Sequence, residues 1–298
     1  MQQSQSLRIL GTRVDNVTLS ETFDEIESML KDGKKHHIVT VNPEILLAGR
    51  RYETYRNTVN NSDLSLCDGS GIRFAAKYLS MSKKVNKGWL SSTKKLFLGL
   101  KVGLVGSFNQ KYLSDGGLRE TIVGVDLISS LLRYFSNQDL SVYFIGARYQ
   151  DGQSSDNLVK TFLEQQIPKI NYVGSYSGMD ELSNNHYEIK KFTDIKSHIE
   201  QDATGKIVDI VFVAFGGVKQ EMWIKENMNE LPGKIFIGVG GAFDLLSGRR
   251  KRAPKFMRSL GLEWLYRFFE RPNLFRLKRI INASIVFPFL VYKESLKD

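Results

Sequence analysis

The chain has few of the features that would assign its class at once. It has one cysteine, Cys67, among 298 residues, so no internal disulfide can form and a reducing compartment is indicated. No segment reaches the roughly 18–20 apolar residues of a membrane-spanning helix. The longest candidate, 280–292, is interrupted by Pro288. The N-terminal residues MQQSQSLRIL contain no long apolar segment, so no signal peptide is expected and a cytoplasmic location is predicted.

Several common ligand-binding signatures are also missing. No G-x-G-x-x-G stands at a strand end, which disfavours a nicotinamide dehydrogenase, and no G-x-x-x-x-G-K-[ST] is present. The chain contains no D-x-D, the carboxylate pair that often holds a metal-bridged diphosphate, and its four histidines are not in ligand spacing. The sequence therefore predicts neither a metal site nor a bound cofactor.

Charge is distributed unevenly along the chain, whose formal net charge is +10. Residues 249–298 carry 13 Lys/Arg against 4 Asp/Glu, and residues 81–120 carry 8 against 2, so the remainder is mildly acidic. Basic segments mixed with aromatic residues are typical of surfaces that bind nucleic acid or anionic membranes. Tryptophan, phenylalanine and a terminal apolar run favour an anionic membrane surface over nucleic acid.

Apolar runs alternate with helical patterns along the whole chain. Buried strands are predicted near residues 37–41, 64–67, 141–145, 170–173, 208–215 and 235–239. Predicted helices include residues 19–31, 45–60, 127–135, 158–165 and 184–201. This alternation predicts a doubly wound α/β fold, Rossmann-like, with about six mostly parallel strands. The residues that follow the strands should converge on one edge, where open α/β sheets bind ligands: Asn42, Asp68, Gly146, Gly216 and Gly241.

Two polar residues near the strand ends, Asn42 and Asp68, each admit two interpretations. Thr40 and Asn42 alternate along one strand and so share a face near its carboxyl end. Asn42 precedes Pro43, however, and this dipeptide is equally typical of a helix cap. Asp68, which follows an apolar run and precedes a glycine, is either a helix cap or a catalytic base.

Several motifs resemble those of the WecG/TagA/CpsF family, bacterial glycosyltransferases of glycosyltransferase family 26. The resemblance covers residues from about 10 to 279. Val218 departs from it, because the family has proline there, and so does RPN at 271–273, where Glu-Pro-Arg is usual. The matching motifs are TVNPE at 40–44, DGSG at 68–71, GGVKQEMW at 216–223, GVGGAFD at 238–244, RAP at 252–254 and GLEWLYR at 261–267.

The resemblance implies a metal-independent, inverting glycosyltransferase. Such an enzyme would move a sugar, of the N-acetylmannosamine type or related, from a nucleoside diphosphate sugar. Its acceptor would be a polyprenyl-diphosphate-linked sugar at the inner face of the bacterial plasma membrane, in cell-surface polysaccharide synthesis.

The resemblance also implies a role for each matching residue. Asp68 would be the base that deprotonates the acceptor hydroxyl, with Thr40, Asn42 and Gln220 orienting the sugars. The donor would contact Gly146, Gly216, Gly241 and Asp244. The diphosphate would be held by Arg119, Arg252 and Arg267, because a planar guanidinium suits phosphate oxygens. Glu221 is expected to cap the helix that begins in its motif.

Two segments stand apart from the predicted core. Residues 7–248 are expected to form the catalytic domain, and residues 249–298 an amphipathic helical appendage that meets the membrane. Within the domain, residues 81–120 form a long, basic, aromatic segment interrupted by glycines, which the family lacks. This segment is either a solvated insertion or a second contact with lipid head groups. The apolar tail also makes a homo-oligomer an expectation.

A protein that binds without catalysing is the alternative to an enzyme. The same residues suit a chain that holds a nucleotide sugar or an anionic lipid and leaves it intact. A nucleic-acid-binding protein is suggested by charge alone, and salt-sensitive DNA binding would distinguish it.

Overall fold

A computed structural model describes residues 5–146, 149–150, 153–182, 186–189, 192–246, 248, 252–254, 257–258, 260, 263–270 and 273–297. The strands are β1 (Ser6–Ile9), β2 (Thr12–Asp15), β3 (His36–Val41), β4 (Leu64–Cys67), β5 (Ser141–Ile145), β6 (Tyr149–Gln150), β7 (Gln153–Ser154), β8 (Asn171–Tyr176), β9 (Met179–Leu182), β10 (His186–Ile189), β11 (Val208–Val213) and β12 (Gly233–Gly238).

Helices separate most of these strands. They are α1 (Leu19–Lys31), α2 (Pro43–Arg51), α3 (Glu53–Asn60), α4 (Ser70–Ser82), α5 (Ser91–Phe108), α6 (Gln110–Ser114), α7 (Gly124–Tyr134), α8 (Ser155–Gln166), α9 (Phe192–Asp202), α10 (Gly217–Asn227), α11 (Ala242–Leu246), α12 (Glu263–Glu270), α13 (Leu274–Ile281) and α14 (Phe287–Ser295). A π-helical segment, Asn282–Val286, joins the last two.

One parallel sheet of six strands, in the order β4-β3-β12-β11-β5-β8, organises the molecule. Side chains alternate between its faces, so Ile38 packs with α1, α7, α8 and α11 while Val39 packs with α2, α3, α4 and α14. A further cluster on the Val39 face joins β11 to α9 and α10. The doubly wound α/β fold predicted from the alternating pattern is confirmed.

The basic segment folds differently from expectation. Its glycines do not interrupt the helix: α5 runs continuously for 18 residues through Gly99, Gly103 and Gly106. A Cβ added to Gly99 would lie 3.3 Å from the Tyr78 ring, and one on Gly103 would lie 3.6 Å from the Phe74 ring. Close packing on α4 therefore overrides the low helix propensity of glycine.

Two predicted helices are wrong in part. The helix expected at residues 45–60 is split at Tyr52, whose backbone is extended (φ −123°, ψ 110°). The helix expected at 184–201 begins only at Phe192, because His186–Ile189 pairs antiparallel with Met179–Leu182. No helix in the described part of the chain is long and apolar enough to cross a membrane.

The last helix, α14, packs into the body of the protein. Phe287 and Val291 are fully buried against α4 and α5. The hydroxyls of Ser295 and Tyr78 lie 2.8 Å apart, and the Glu294 carboxylate accepts a hydrogen bond of 3.0 Å from Leu10 N. The end of the appendage is thus anchored by both apolar and polar contacts.

The centre of the sheet provides a test of the core. Phe212 of β11 is fully buried and stacks on Phe144 with ring centroids 5.1 Å apart. We expect Phe212→Ala to lower the free energy of unfolding by about 3–5 kcal/mol, because it leaves a cavity in close-packed surroundings. Urea denaturation measures the loss. Ile207→Ala, at a position 61% exposed, is the control and should change it by about 0.5 kcal/mol or less.

Candidate active site

The carboxyl ends of the parallel strands, here named the carboxyl edge, bring most of the predicted site residues together. Val41 pairs with Cys67 in the register of β3 and β4, and Asp68 N donates to Val41 O at 2.7 Å. Asn42 and Asp68, the next residues, therefore lie on adjacent strand ends. On the other side of β3, Val39 pairs with Gly238, which pairs in turn with Val213 of β11.

Thr40 and Asn42 are held in place by different bonds. The Thr40 hydroxyl is buried and donates to Gly238 O at 2.9 Å, joining β3 to β12. Asn42 is the N-cap of α2, where its Oδ1 accepts from Ile45 N at 3.1 Å. The helix-cap interpretation of Asn42 is thus correct, and the cap fixes the side chain at the carboxyl edge.

Asp68 lies beside open space. The next residue, Gly69, is the N-cap of α4 and has a φ of +108° that favours glycine. A Cβ added to Gly69 would meet nothing within 4 Å. Behind Asp68, burial raises the pKa of the Cys67 thiol, and the charge of Asp68 raises it further. Cys67 is consequently a protonated core residue and not a nucleophile.

A buried polar network supports the neighbouring strand ends. Gln220, at the start of α10, is only 2% exposed. Its Oε1 accepts from Gly216 N at 3.2 Å and from Gly240 N at 3.0 Å, while its Nε2 donates to Glu221 Oε1 at 2.7 Å. Glu221 Oε2 lies 2.7 Å from Nε2 of the buried His37. One side chain therefore fixes the loops that follow β11 and β12.

These two loops present bare backbone to open space. Added Cβ atoms on Gly216 and Gly240, both at positive φ, would meet nothing within 4 Å, and the same holds for the exposed Gly241. Gly146 differs, because its Cβ would lie 2.8 Å from the carbonyl carbon of Ala214. Gly146 thus permits close packing of strand ends, whereas the other glycines leave room for a ligand.

Asp244, which was predicted to contact the donor, is described in its backbone only. Its backbone lies in α11, directly after Gly241, but its side chain is outside the described residues. The same is true of Arg267, whose backbone lies in α12.

Arg252 reaches the edge from the appendage. Its guanidinium binds Asp126 with both terminal nitrogens, Nη2 to Oδ2 at 3.0 Å, and Nη2 lies 4.0 Å from Glu263. The bond to Asp126 raises the pKa of Arg252 although burial opposes it. Asp126 follows Gly124 by two residues, and a Cβ on Gly124 would lie 3.9 Å from the Thr40 hydroxyl. Arg252 is therefore close to the predicted sugar site.

Arg119 is held by the turn before α1. It donates to Asn16 O at 2.8 Å and forms an ion pair with Glu21, Nη1 to Oε1 at 2.9 Å. This pair lowers the pKa of the Glu21 carboxyl. Both side chains are nearly half exposed, so the pair contributes little to stability and a phosphate can compete for Arg119.

Sequence reasoning missed three partners. Glu221 was expected to cap α10, and this is wrong because its carboxylate is buried and faces His37. Glu44, the last residue of the TVNPE motif, pairs with Arg279 of α13 at 2.6 Å. Glu263, in the GLEWLYR motif, faces Arg252. Glu44 and Glu263 lie inside recognised motifs, and this was the only sequence signal for them. Their partners could not be identified because they lie more than ten residues away along the chain.

No group of three or more His, Cys, Asp or Glu side chains within the described ranges is placed to hold a metal ion. Arg252, which lies near the edge, carries a guanidinium of the kind that binds phosphate oxygens directly.

Comparison with known proteins gives the same assignment as the motifs. The sequence profile of the glycosyl transferase WecG/TagA/CpsF family matches residues 7–97 and 109–298. The chain belongs to this family. Two relatives, from Staphylococcus aureus strains MRSA252 and NCTC 8325 / PS 47, are each 24% identical over 287 residues, covering 96% of this chain and 90% of theirs. Each is named an N-acetylglucosaminyldiphosphoundecaprenol N-acetyl-beta-D-mannosaminyltransferase.

As a member of this family, the chain is a glycosyltransferase. In this glycosyltransferase, four of the recognised motifs begin within three residues of the carboxyl ends of β3, β4, β11 and β12. The edge is accordingly the candidate active site.

The Gln220 network can be tested by substitution. We expect Gln220→Met to reduce kcat/KM by about ten- to a hundred-fold, because both glycine loops lose their shared acceptor and the site loses its geometry. Initial rates of nucleoside diphosphate release measure the effect. Gln138→Met, the same change at an exposed turn, is the control. Equal rates for both variants would contradict the positioning role of Gln220.

Proposed function

We propose that the protein is an inverting, metal-independent glycosyltransferase that uses a nucleoside diphosphate sugar. Its acceptor is a polyprenyl-diphosphate-linked sugar, and the transferred sugar is of the N-acetylmannosamine type or related. One observation supports this most: Asp68 lies at the same edge as two glycine loops with bare backbone. In this proposal Asp68 is the base at the end of β4, and the loops after β12 and β11, two and three strands along the same edge, form the phosphate cradle. The names of the relatives supply the substrate class.

In this proposal the donor diphosphate binds at the carboxyl edge, where α4 and α10 begin. Both helices begin at the edge with a glycine N-cap, Gly69 and Gly216, that makes no side-chain cap bond. Their first N–H groups and the positive ends of their dipoles favour an anion. In this proposal Gly241 and Asp244 complete the donor site, and Gly146 permits the close packing of the strand ends that support it.

Arginines stabilise the charge that develops on the leaving diphosphate. Arg252 lies near the edge through Asp126, and Arg267 is in the helix that begins at Glu263. Arg119 is the third candidate, once phosphate replaces Glu21. Cationic groups aimed at a leaving phosphate lower the barrier most when water is excluded.

The acceptor hydroxyl is activated by Asp68. In an inverting displacement the hydroxyl attacks the anomeric carbon opposite the departing diphosphate, and its proton passes to the base. Asn42 and the buried Thr40 stand on the neighbouring strand end, where they orient the sugars. Gln220 acts on the same step by holding the loops around the donor.

The lipid-linked acceptor also determines location in this proposal. The protein works at the inner face of the bacterial plasma membrane as a peripheral protein, in cell-surface polysaccharide synthesis. The appendage, residues 249–298, meets the anionic membrane surface while α13 touches the edge through the Arg279–Glu44 pair.

Release of nucleoside diphosphate is the first test. Purified protein is incubated with a panel of UDP- and GDP-sugars and a synthetic lipid-diphosphate-GlcNAc acceptor, with a chelator present. Release from one donor, only when acceptor is added, supports the proposal and identifies the donor. Release that needs added divalent metal refutes metal independence. If calorimetry shows binding of a donor that stays intact with every acceptor, the protein is a binding protein.

The base assignment has its own test. We expect Asp68→Asn to lower turnover by about 10²–10⁴-fold and to leave donor affinity unchanged, because only proton transfer is lost. Calorimetry with the donor and a release assay separate the two effects. Asp115→Asn, at an exposed position outside the edge, is the matched control. Full activity of Asp68→Asn would refute the role of Asp68.

A further inference from the structure

Helix α5 exposes a continuous apolar stripe. Leu96, Leu100, Leu104 and Phe108, here named the α5 stripe, are four residues apart and lie on one face over the last three turns of the helix. Their exposed fractions run from 48% to 76%. Trp89, just before the helix, is 92% exposed. A surface helix normally keeps large apolar side chains on the inner face, and this one does the opposite.

The inner face of α5 carries glycines that allow close packing, beside Lys95, Leu98 and Val102. Gly99 and Gly103 lie against α4, and a Cβ added to Gly106 would lie 2.6 Å from Leu113. Val102 is the one fully buried apolar residue of the helix. Since these small side chains let α5 pack closely, the helix is firmly seated and its large side chains are left for another surface.

Most of the stripe lies outside the part of the chain that the family profile matches. The family profile matches residues 7–97 and 109–298 and omits residues 98–108, which carry most of the stripe. The segment was expected to be either a solvated insertion or a lipid contact, and its exposed face is apolar, which disfavours solvation alone.

The sequence around the stripe carries cations and no acids. No Asp or Glu occurs between Asp68 and Asp115, a span that holds nine Lys and Arg. Five of these lysines are exposed on or near α5: Lys83, Lys84, Lys87, Lys94 and Lys101. The neighbouring helix α14 adds an exposed Phe289 with Lys293 4.9 Å from its ring centroid.

We propose that α5 docks on an anionic phospholipid bilayer, with the α5 stripe in the boundary between head groups and acyl chains. The flanking lysines then lie at the level of the lipid phosphates. A second copy of the chain fits less well, because two faces that carry cations and no acids repel each other. The helix spans about 27 Å, enough for a long shallow contact.

The direction of α5 connects this surface to the candidate active site. Gly99 lies by Tyr78 and Gly103 by Phe74, so α5 runs antiparallel to α4. Its Phe108 end therefore approaches the start of α4, next to Asp68. A docked α5 holds the carboxyl edge close to the head groups, where a lipid-linked diphosphate is found. This last point rests on the proposed function, whereas the docking itself does not.

Vesicle binding without any substrate tests the docking. The full chain is mixed with vesicles of equal parts phosphatidylglycerol and phosphatidylcholine, or with pure phosphatidylcholine. We expect binding to the anionic vesicles with a blue shift of Trp89 emission. Leu100→Glu and Leu104→Glu should each weaken sedimentation with vesicles by about ten-fold or more, because a carboxylate enters the apolar boundary. Ile207→Glu is the control, an equally exposed residue before β11 at the opposite edge of the sheet.

The outcomes separate this proposal from the previous one. If Leu100→Glu and Leu104→Glu bind anionic vesicles as tightly as Ile207→Glu, the docking is refuted. It is refuted also if they leave vesicle binding intact but convert a dimer to a monomer in light scattering. Both variants should keep turnover with a short-chain, water-soluble acceptor and lose it with acceptor embedded in vesicles. Absence of turnover with every acceptor, in the wild type as well, refutes the transferase and leaves the docking standing.

Discussion

The carbonyl oxygen of the Gln220 side chain is the point on which the candidate site depends. It accepts from Gly216 N and Gly240 N, so one atom joins two loops at glycines that have no side chains of their own. Glu221 and His37 keep the amide in place from below, inside the protein. Bare loops give a phosphate close access to backbone N–H groups, and this buried network supplies the rigidity that glycine takes away.

The fold could be predicted from the sequence because apolar strand segments alternate regularly with helical patterns. Strands such as β11 and β12 are apolar on both faces, and the helices between them are long enough to cross the sheet, so six parallel strands followed. The failures have local causes. Tyr52 splits a helix whose pattern is continuous, and the glycines of α5 stay helical because a neighbouring helix leaves no room for larger side chains. Tertiary packing explains the glycines of α5, and neither outcome follows from local propensity.

The candidate site could be predicted only as a set of strand ends. Parallel topology is enough to place Asn42 and Asp68 side by side, whereas ion pairs across the fold depend on side-chain directions that no motif specifies. Arg252 with Asp126 and Arg279 with Glu44 both join the appendage to the carboxyl edge. The basic tail, which its composition predicts to contact the membrane, thus has acidic partners within the body.

Cys67 gives the molecule a practical property. It is the single cysteine of the chain, it is buried, and its thiol has a raised pKa next to Asp68, so alkylating reagents should leave it unmodified in the folded protein. A cysteine introduced on the outer face of α5 would then be the sole reactive thiol. The protein can therefore carry one spin label or fluorophore on α5 while Cys67 stays in place. The immersion depth of that label in lipid can then be measured by spectroscopy.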